Sequence, residues 1–290
     1  RAVIDQCIKR GIYIIIDYHS HQAWNEVDEA KNFFKQAVEW YGDKDNVIFE
    51  IFNEPDTHEP HEWAGVKQYA DQLVAHIRGL GSDNLIVVGT PCFGQVFEGI
   101  KENPVIDPLN NTAYVMHFYS YSHHVDDDWT GKNFKAALED GLPFMVTEWG
   151  TSHFNGGQDG SSFDGNSADQ WHALLDEYGF SSAMWSIFSH HQSSALWGNT
   201  GATDGYIKGL LENWKGRADW RNGTVRPIPG MLEVTLNDIE ISMPVTSVTL
   251  DASISGGKEP CKYKWELSAG EDVDVQDMMA ASTVVEGLSE

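Results

Sequence analysis

Two glutamates stand where their side chains can act together in catalysis. Glu54 belongs to the string NEP and Glu148 to the string TEWG, and each string follows a short apolar run typical of a buried strand. Two carboxyl groups, one protonated and one ionised, are what the hydrolysis of a glycosidic bond requires. We therefore predict that Glu54 and Glu148 are catalytic carboxyls, about 5–5.5 Å apart for hydrolysis with retention of configuration.

Polar or aromatic side chains occur at the ends of five of the six predicted strands. In a barrel of parallel strands the carboxyl ends converge on one face, and the active site lies there. Unrelated strands would have no reason to place such side chains at the same end. The side chains concerned are His19, Asn53 with Glu54, His117 with Tyr119, Glu148, and Trp185 with Ser186.

From residue 1 to about residue 216, apolar runs alternate with amphipathic helical patterns. Runs such as IYIII, VIFEIF and LIVV are typical of parallel strands that are buried on both faces. The alternation predicts an α/β fold, a (β/α)8 TIM barrel. The predicted strands are Ile12–Asp17, Val47–Asn53, Leu85–Gly89, Ala113–His117, Pro143–Thr147 and Ser182–Ser186, and the predicted helices include Glu29–Tyr41, Glu62–Gly79, Lys132–Asp140 and Ala168–Tyr178.

The predicted organisation is a barrel followed by a second, all-β module. Because the chain opens on a helical pattern and six strands are not eight, we expect a barrel lacking its first two strands in this chain (strands 3–8 present). We assign residues 1–220 to the catalytic barrel, 221–230 to a Pro/Gly linker and 231–290 to a partial immunoglobulin-like β-sandwich.

Four strings resemble the strand-end motifs of glycoside hydrolase family 5, especially its bacterial endoglucanase subfamily. They are IIIDYHSH, IFEIFNEP, HFYSYSH and VTEWGTS, and they occur in this order, followed by Trp185. The resemblance covers residue 1 to about residue 216. It implies a retaining endo-β-1,4-glucanase, a cellulase, that acts on β-glucan polysaccharide without a cofactor or metal.

The resemblance also implies a role for each site residue. Glu54 would be the general acid/base and Glu148 the nucleophile that forms a covalent glycosyl-enzyme. Once ionised, Glu148 is expected to raise the pKa of Glu54 and so keep an acid available near neutral pH. Asn53 would hydrogen-bond the sugar 2-hydroxyl. His117 and Tyr119 would flank the nucleophile, with Tyr119 hydrogen-bonded to Glu148. His19 would contact the sugar in the cleavage subsite, and Trp185 would be the surface on which that sugar stacks.

The sequence departs from the family pattern at several places. A supporting arginine of the subfamily belongs to the second barrel strand, which we expect to lie outside this chain. Tyr18 stands where relatives often have tryptophan, and His190-His191-Gln192 stands where many place a lysine near the substrate. Trp24 and Trp197 are predicted to be further stacking platforms on loops.

Composition limits the classes of partner. The chain has 19 basic and 44 acidic residues, a net charge of −25, so phosphate backbones and anionic lipid surfaces are poor partners and a neutral substrate fits better. No run is long enough to span a bilayer. Three cysteines form no disulfide framework. We expect a monomeric catalytic domain that is secreted or held at the cell surface.

Three alternatives remain open at this stage. The same scaffold can carry an endo-mannanase, xylanase or xyloglucanase, because specificity lies in the loops. A metal-dependent amidohydrolase would use His19 and His21, with His117, His123 and His124 as further ligands. A catalytically silent carbohydrate-binding protein is the third, and the intact pair of glutamates argues against it.

Overall fold

A computed structural model describes residues 1–57, 63–158, 162–187, 192–195 and 206–210, together with the strand segments 233–236, 247–255, 274–275 and 282–286. The chain divides into two compact units. The first comprises residues 1–175 and 180–216, and the second residues 176–179 and 217–290. The two units are described separately.

The first unit is built on a parallel sheet of six strands whose order in space is their order in the chain. All six predicted strands are present, with bounds that differ by a few residues. Within the described residues, β1 and β6 are the two edges of this sheet. The strands are β1 (Ile14–Asp17), β2 (Val47–Glu50), β3 (Ile86–Val88), β4 (Thr112–Tyr119), β5 (Phe144–Gly150) and β6 (Ser182–Met184).

Helices connect successive strands, as a parallel sheet requires. In α2, the buried residues Ala30, Phe34, Ala37 and Tyr41 recur at helical spacing, which packs one face of the helix on the sheet. The helices are α1 (Ala2–Lys9), α2 (Val27–Tyr41), α3 (Trp63–Gly79), the single turn α4 (Pro91–Gly94), α5 (Thr130–Glu139) and α6 (Gly165–Tyr178), with a 3₁₀ turn at Ala23–Asn25.

The sheet has two differently occupied faces. The larger apolar cluster lies between the strands and the helices. A small second cluster on the opposite face is formed by Ile48, Val87 and Val115, with Ile15 and Met145 packed against it. Since side chains alternate along a strand, the residues two positions further on point to the same side. Those residues are Asp17, Glu50, Gly89, His117 and Thr147.

The last two long strands extend further than their apolar runs suggest. β4 and β5 remain paired to the end, so that His117 lies opposite Glu148 and Tyr119 opposite Gly150. The register shifts between Val115 and His117, where β5 contains one residue more than β4. We expected Tyr119 and Glu148 just after strands, and the structure places both within them, because this β-bulge lets pairing continue.

The second unit contains a four-stranded antiparallel sheet in the order β7-β8-β10-β9. Its strands are β7 (Glu233–Leu236), β8 (Ser247–Ser255), β9 (Asp274–Val275) and β10 (Ser282–Glu286). The immunoglobulin-like assignment, the domain bounds and the two upstream barrel strands remain predictions. Among the described residues, no helix is both long and apolar enough to cross a bilayer.

Candidate active site

Glu54 is carried by the loop that follows β2, and this loop fits closely against the end of β3. A Cβ atom on Gly89 would lie 2.2 Å from the carbonyl oxygen of Phe52 and 2.7 Å from Pro55, so only glycine fits there. The backbone N–H of Glu54 donates to the carbonyl of Ser20 at 3.4 Å, which ties the loop to the one after β1. The position of Glu54 is therefore set by neighbouring strands on both sides.

Two imidazoles contact the carboxyl group of Glu54. Oε1 is 2.9 Å from Nδ1 of His117, and Oε2 is 3.3 Å from Nε2 of His21. His117 is 1% exposed, whereas His21 lies on the surface. One oxygen therefore meets a fixed buried partner, and the other meets a partner that faces solvent.

Glu148 is held by the neighbouring strand. The hydroxyl of Tyr119 donates to Oε1 of Glu148 at 2.5 Å, the hydrogen bond that the family resemblance implied. A Cβ atom on Gly150 would lie 2.7 Å from the ring of Tyr119, so the ring packs over a position where only glycine leaves room. Tyr119 is 5% exposed and Glu148 is 7% exposed, which fixes this pair inside the sheet.

The two catalytic candidates lie close together with His117. One donor atom from each of Glu54, His117 and Glu148 falls within 4.8 Å of the other two. The order of the strands explains this closeness. β3 and β4 lie between β2 and β5 in the sheet, and His117 on β4 lies between the side chains of Glu54 and Glu148. The carboxyl ends of β2, β4 and β5 thus converge, as predicted for one face of a barrel.

The pKa values of the two carboxyls shift in opposite directions. Burial and the charge of Glu54 raise the pKa of Glu148, against the opposing effects of His117 and the Tyr119 hydroxyl. Burial also favours a raised pKa for Glu54, but the His117 hydrogen bond and the charges of His117, His21 and His19 outweigh it and lower the pKa.

This order of pKa values corrects one expectation. We predicted that ionised Glu148 keeps Glu54 protonated, whereas the imidazoles around Glu54 have the larger effect on its pKa and lower it. Imidazolium groups stabilise an ionised carboxylate.

A buried hydrogen-bonded chain leads away from Glu54. Beyond His117, its Nε2 lies 2.8 Å from Oγ1 of Thr147. The hydroxyl of Thr147 lies 2.7 Å from Oε1 of Glu50, and Glu50 is 2% exposed. Burial is the largest influence on Glu50 and raises its pKa well above its ordinary value, with the charges of Asp17, Glu148 and Glu54 adding to the effect.

His19 and Trp185 stand at the ends of the two edge strands and meet each other. Their ring centroids are 5.6 Å apart with 13° between the planes, so the sheet curls until its edges approach at this face. Nδ1 of His19 is 2.7 Å from Oδ2 of Asp17, and this hydrogen bond is the largest cause of the raised pKa of His19.

Asn53 is buried beside the candidate acid/base. It is 3% exposed, and its side-chain N–H₂ group has no hydrogen-bond partner among the described residues. A buried donor without a partner is costly unless a ligand supplies the acceptor. Asn53 therefore fits the contact with a sugar hydroxyl that the resemblance implied.

The predicted aromatic platforms differ in their surroundings. Trp24 is half-buried and packs edge-on against Phe52, with 5.1 Å between the ring centroids. Trp197, His190 and His191 lie outside the described residues, so their predicted roles remain predictions. Phe93 is 37% exposed at a backbone φ of 58°, with its ring 5.6 Å from that of His21.

Three residues at the site were missed by the sequence analysis or assigned differently. His21 appeared only as a possible metal ligand, and Glu50 and Thr147 were not considered. Two signals pointed to them: Glu50 interrupts the apolar run VIFEIF, and Thr147 precedes the nucleophile candidate in its strand. Charged side chains are rarely buried without a partner, so a carboxyl in such a run is informative.

Of the histidines proposed for a metal-dependent enzyme, His117 belongs to a group of three possible metal donors, with Glu54 and Glu148. In the part of the chain that the structure describes, no group of three possible metal donors includes His19, His21, His123 or His124. Nδ1 of His123 accepts a hydrogen bond from the backbone N–H of Tyr119 at 2.9 Å, and burial lowers its pKa to about 4. The arrangement that motivated the amidohydrolase alternative is absent from these residues.

Comparison with known proteins gives one consistent family. The sequence model described as Cellulase (glycosyl hydrolase family 5) matches residues 1–191. Endoglucanase Z from Dickeya dadantii is 31% identical over 221 residues, which cover 74% of this chain and 49% of that protein. Cellulase CelDZ1 from a Thermoanaerobacterium species is 32% identical over 215 residues, covering 69% of this chain and 54% of that protein.

Solved structures agree with these relatives. A protein from Cytophaga hutchinsonii superimposes with a TM-score of 0.67 at 28% identity, covering 75% of this chain and 72% of that one. The catalytic domain of an endoglucanase from Thermobifida fusca gives a TM-score of 0.58 at 32% identity, with 67% and 63% covered. The chain spans about half the length of the two relatives named above. It belongs to glycosyl hydrolase family 5, the cellulase family.

Proposed function

We propose that this protein is a retaining endo-β-1,4-glucanase with Glu54 as acid/base and Glu148 as nucleophile. The observation that carries the proposal is the spacing of the pair, whose nearest donor atoms lie within 4.8 Å. Double displacement requires carboxyl groups about 5–5.5 Å apart, whereas inversion needs about 6.5–9.5 Å to admit a water molecule. The close spacing favours direct attack by a carboxylate on the sugar.

In the first step, ionised Glu148 attacks the anomeric carbon while Glu54 gives its proton to the departing oxygen. The Tyr119 hydroxyl donates to Oε1 of Glu148, which orients the carboxylate and stabilises its charge before attack. Glycosylation then removes the negative charge from Glu148. One of the influences that oppose ionisation of Glu54 is thereby lost.

In the second step, Glu54 is ionised and takes a proton from water, which attacks the glycosyl-enzyme and frees Glu148. The two imidazoles at Glu54 stabilise its ionised form, so they suit this base role directly. Asn53 holds the sugar 2-hydroxyl, and His19 with Trp185 provides the stacking surface in the cleavage subsite. These contacts strengthen as the ring flattens toward the transition state.

The substrate class follows from the same site and from the charge of the chain. A net charge of −25 disfavours anionic polymers and leaves a neutral β-glucan as the fitting substrate. A polymer of this kind cannot enter a cell, so we place the enzyme outside it, secreted or at the cell surface. We propose a monomeric catalytic domain that needs neither a cofactor nor a metal.

Two substitutions test the catalytic assignment. Glu148→Gln should abolish turnover while oligosaccharide binding persists, because the amide keeps the shape but cannot attack. Glu54→Ala should be slow on cello-oligosaccharides and partly active on dinitrophenyl cellobioside, whose leaving group needs no proton. Glu29→Gln, on the exposed side of α2, is the matched control and should behave like the wild type.

Product stereochemistry and substrate range complete the test. Proton NMR of the first products should show the β anomer before mutarotation, and an initial α anomer would contradict double displacement. Carboxymethyl-cellulose, mannan, xylan and xyloglucan should be compared under identical conditions. Preferred hydrolysis of one of the last three would retain the mechanism and replace the cellulase assignment.

A further inference from the structure

A groove with a cavity volume of about 660 Å³ lies beside α5, and neither Glu54 nor Glu148 lines it. One wall is the segment 96–102, which follows α4. The other wall is a single face of α5, along which the lining residues recur at helical spacing. These residues are Trp129, Asn133, Ala136, Ala137 and Asp140. The helix rises about 16 Å from the first to the last of them, so this α5 groove is long enough for a linear oligomer.

The floor of the α5 groove is apolar and belongs to the packed core. Val96, Phe97 and Ala137 are all buried. The ring centroid of Phe97 lies 5.8 Å from that of Phe134 and 5.0 Å from that of Phe144. Because close-packed cores relax little, the floor keeps its shape without a ligand.

Buried hydrogen bonds fix the two walls relative to each other. The hydroxyl of Thr130, at the beginning of α5, donates to Oε1 of Gln95 at 2.9 Å. The amide nitrogen of Gln95 lies 3.0 Å from Nε2 of His123. Gln95 directly precedes the segment 96–102, so these contacts hold that segment against the beginning of α5.

An aromatic ring stands at one end of the α5 groove and an ion pair at the other. Trp129 is 48% exposed, and its backbone N–H donates to Oδ1 of Asp127 at 2.9 Å. Nζ of Lys101 lies 2.5 Å from Oδ1 of Asp140 and joins the two walls at the far end. Asn133 lies between the two ends and is half-buried. The groove therefore combines an exposed indole with fixed polar groups.

The lining excludes three classes of ligand. Glu98 and Glu102 repel anions, and two N–H groups at the start of α5 that could attract an anion donate to Asp127 instead. In the described part of the chain, no group of three possible metal donors includes Glu98, Glu102 or Asp140. A purely apolar ligand would desolvate the carboxylates and the Asn133 amide without giving them a hydrogen bond.

A neutral ligand with a flat apolar face and several hydroxyl groups fits all of these features. A pyranose ring has both, since its C–H face can stack on an indole and its hydroxyls can bond to amide and carboxylate groups. We propose that the α5 groove binds a β-glucan chain at a second site, outside the cleavage site. Trp129 stacks on one sugar ring, while Asn133 and Glu102 hydrogen-bond hydroxyls further along the chain.

The choice of β-glucan among carbohydrates rests on the proposed function. A polymer that is held in the α5 groove raises the effective concentration of its other segments at the cleavage site. A short substrate occupies only one site at a time and gains nothing from the second. The groove should therefore matter for polymeric glucan and not for a small glycoside.

The indole N–H of Trp129 reports binding directly. The full chain carrying Glu148→Gln, which should not turn over its ligand, is titrated with cellotetraose up to about 10 mM and followed by two-dimensional ¹H–¹⁵N NMR. The Trp129 resonance is the one missing from the additional variant Trp129→Phe. It should shift saturably with a dissociation constant on the order of 1 mM, and an unmoved resonance would overturn the second site.

Two comparisons show whether this shift arises in the groove. Asn133→Ala favours the helix and removes the amide, so it should weaken the Trp129 titration by about 2- to 10-fold and leave that of Trp185 unchanged. A Trp129 titration that follows Trp185 and is unaffected by Asn133→Ala would report the cleavage site instead and overturn the proposal. Spermidine or inorganic phosphate should not move the Trp129 resonance, and a shift with either one but not with cellotetraose would also overturn it.

Adsorption and kinetics test the effect on polymer. In the Glu148→Gln chain, Trp129→Ala should reduce adsorption to insoluble cellulose by about 3- to 10-fold. Trp40→Ala is the matched control, because Trp40 is 37% exposed on α2 and packs under the Arg1 guanidinium at 4.4 Å. In the otherwise wild-type chain, Trp129→Ala should change kcat/KM for dinitrophenyl cellobioside by less than about twofold. Equal adsorption losses in Trp129→Ala and Trp40→Ala would overturn the second site.

The two proposals fail in different ways. A wild-type chain that cleaves none of the β-glucans contradicts the proposed function, and the Trp129 titration still decides the second site. An active wild type whose Glu148→Gln form shows no Trp129 shift with cellotetraose contradicts the second site alone.

Discussion

Replacing Tyr119 by phenylalanine removes the hydroxyl that donates to Oε1 of Glu148 at 2.5 Å. The ring itself can stay in place, since it packs against Gly150 and is 5% exposed. A hydrogen bond to a charged group contributes about 1.5–3 kcal/mol, and 1.36 kcal/mol corresponds to about one pKa unit. The pKa of Glu148 should therefore rise by about 1–2 units above its already raised value.

The sign of the kinetic effect follows from the role of Glu148. A nucleophile must be ionised, so activity falls as pH decreases through its pKa. The acidic limb of kcat/KM in Tyr119→Phe should move to higher pH by about 1–2 units. The assay is the pH dependence of kcat/KM on a soluble cello-oligosaccharide, and an unmoved acidic limb, or one moved to lower pH, would refute the reasoning.

Stability should change in the same variant with a defined pH dependence. Because the folded-state pKa of Glu148 lies above its ordinary value of 4.5, its contribution to stability is complete below that value and is lost as pH rises through the folded pKa. Tyr119→Phe should therefore lower the free energy of unfolding by about 0.5–1.5 kcal/mol at pH 4 and by about 1.5–3 kcal/mol at pH 7.

Tyr69→Phe is the control for this experiment. Its side chain is also buried, and its hydroxyl donates to the carbonyl of Ile51 at 2.8 Å and not to a carboxylate. The variant should lose about 0.5–1.5 kcal/mol at both pH values and keep the wild-type pH profile. Chemical denaturation at the two pH values measures both variants.

Three further results are expected. Asp107→Asn should lower the free energy of unfolding, measured in urea, by about 3–5 kcal/mol, because the buried Arg78 side chain (6% exposed) loses its charged partner. The pKa of Asp107 is low, so the stability of the wild type should also fall as pH drops below about 4. Gly150→Ala should displace Tyr119 and shift the acidic limb of kcat/KM in the direction of Tyr119→Phe. Dialysis against a chelator should leave activity intact, and loss with recovery on added zinc would favour the metal-dependent alternative.

The centre of the sheet was predictable because β2 and β3 are buried along their whole length. Continuous apolar runs identified these strands, and the rule that parallel strands share one carboxyl end brought Glu54, His117 and Glu148 to the same place. Strand ends were less predictable. The apolar pattern stops before Tyr119 and Glu148, while backbone pairing continues past them.

The β-bulge explains most of what the sequence could not reveal about the site. Strict alternation would turn Thr147 and Glu148 to opposite faces of the sheet. One extra residue in β5 lets these neighbours serve the same site, so that Glu148 meets Tyr119 while Thr147 meets His117. A bulge depends on the register with a neighbouring strand, and no local pattern in β5 records that register.

Glu50 shows how a polar residue in an apolar run can be interpreted before a structure is known. An unpaired carboxylate inside a sheet costs several kcal/mol, so the fold retains it only with a partner or with a proton. The run VIFEIF therefore implied a hydrogen-bonded neighbour on another strand, although not which one. The structure supplies Thr147 at 2.7 Å, and through it His117 and the acid/base candidate. The position that is most expensive to bury is thus the one that hydrogen bonds connect, through Thr147 and His117, to the acid/base candidate.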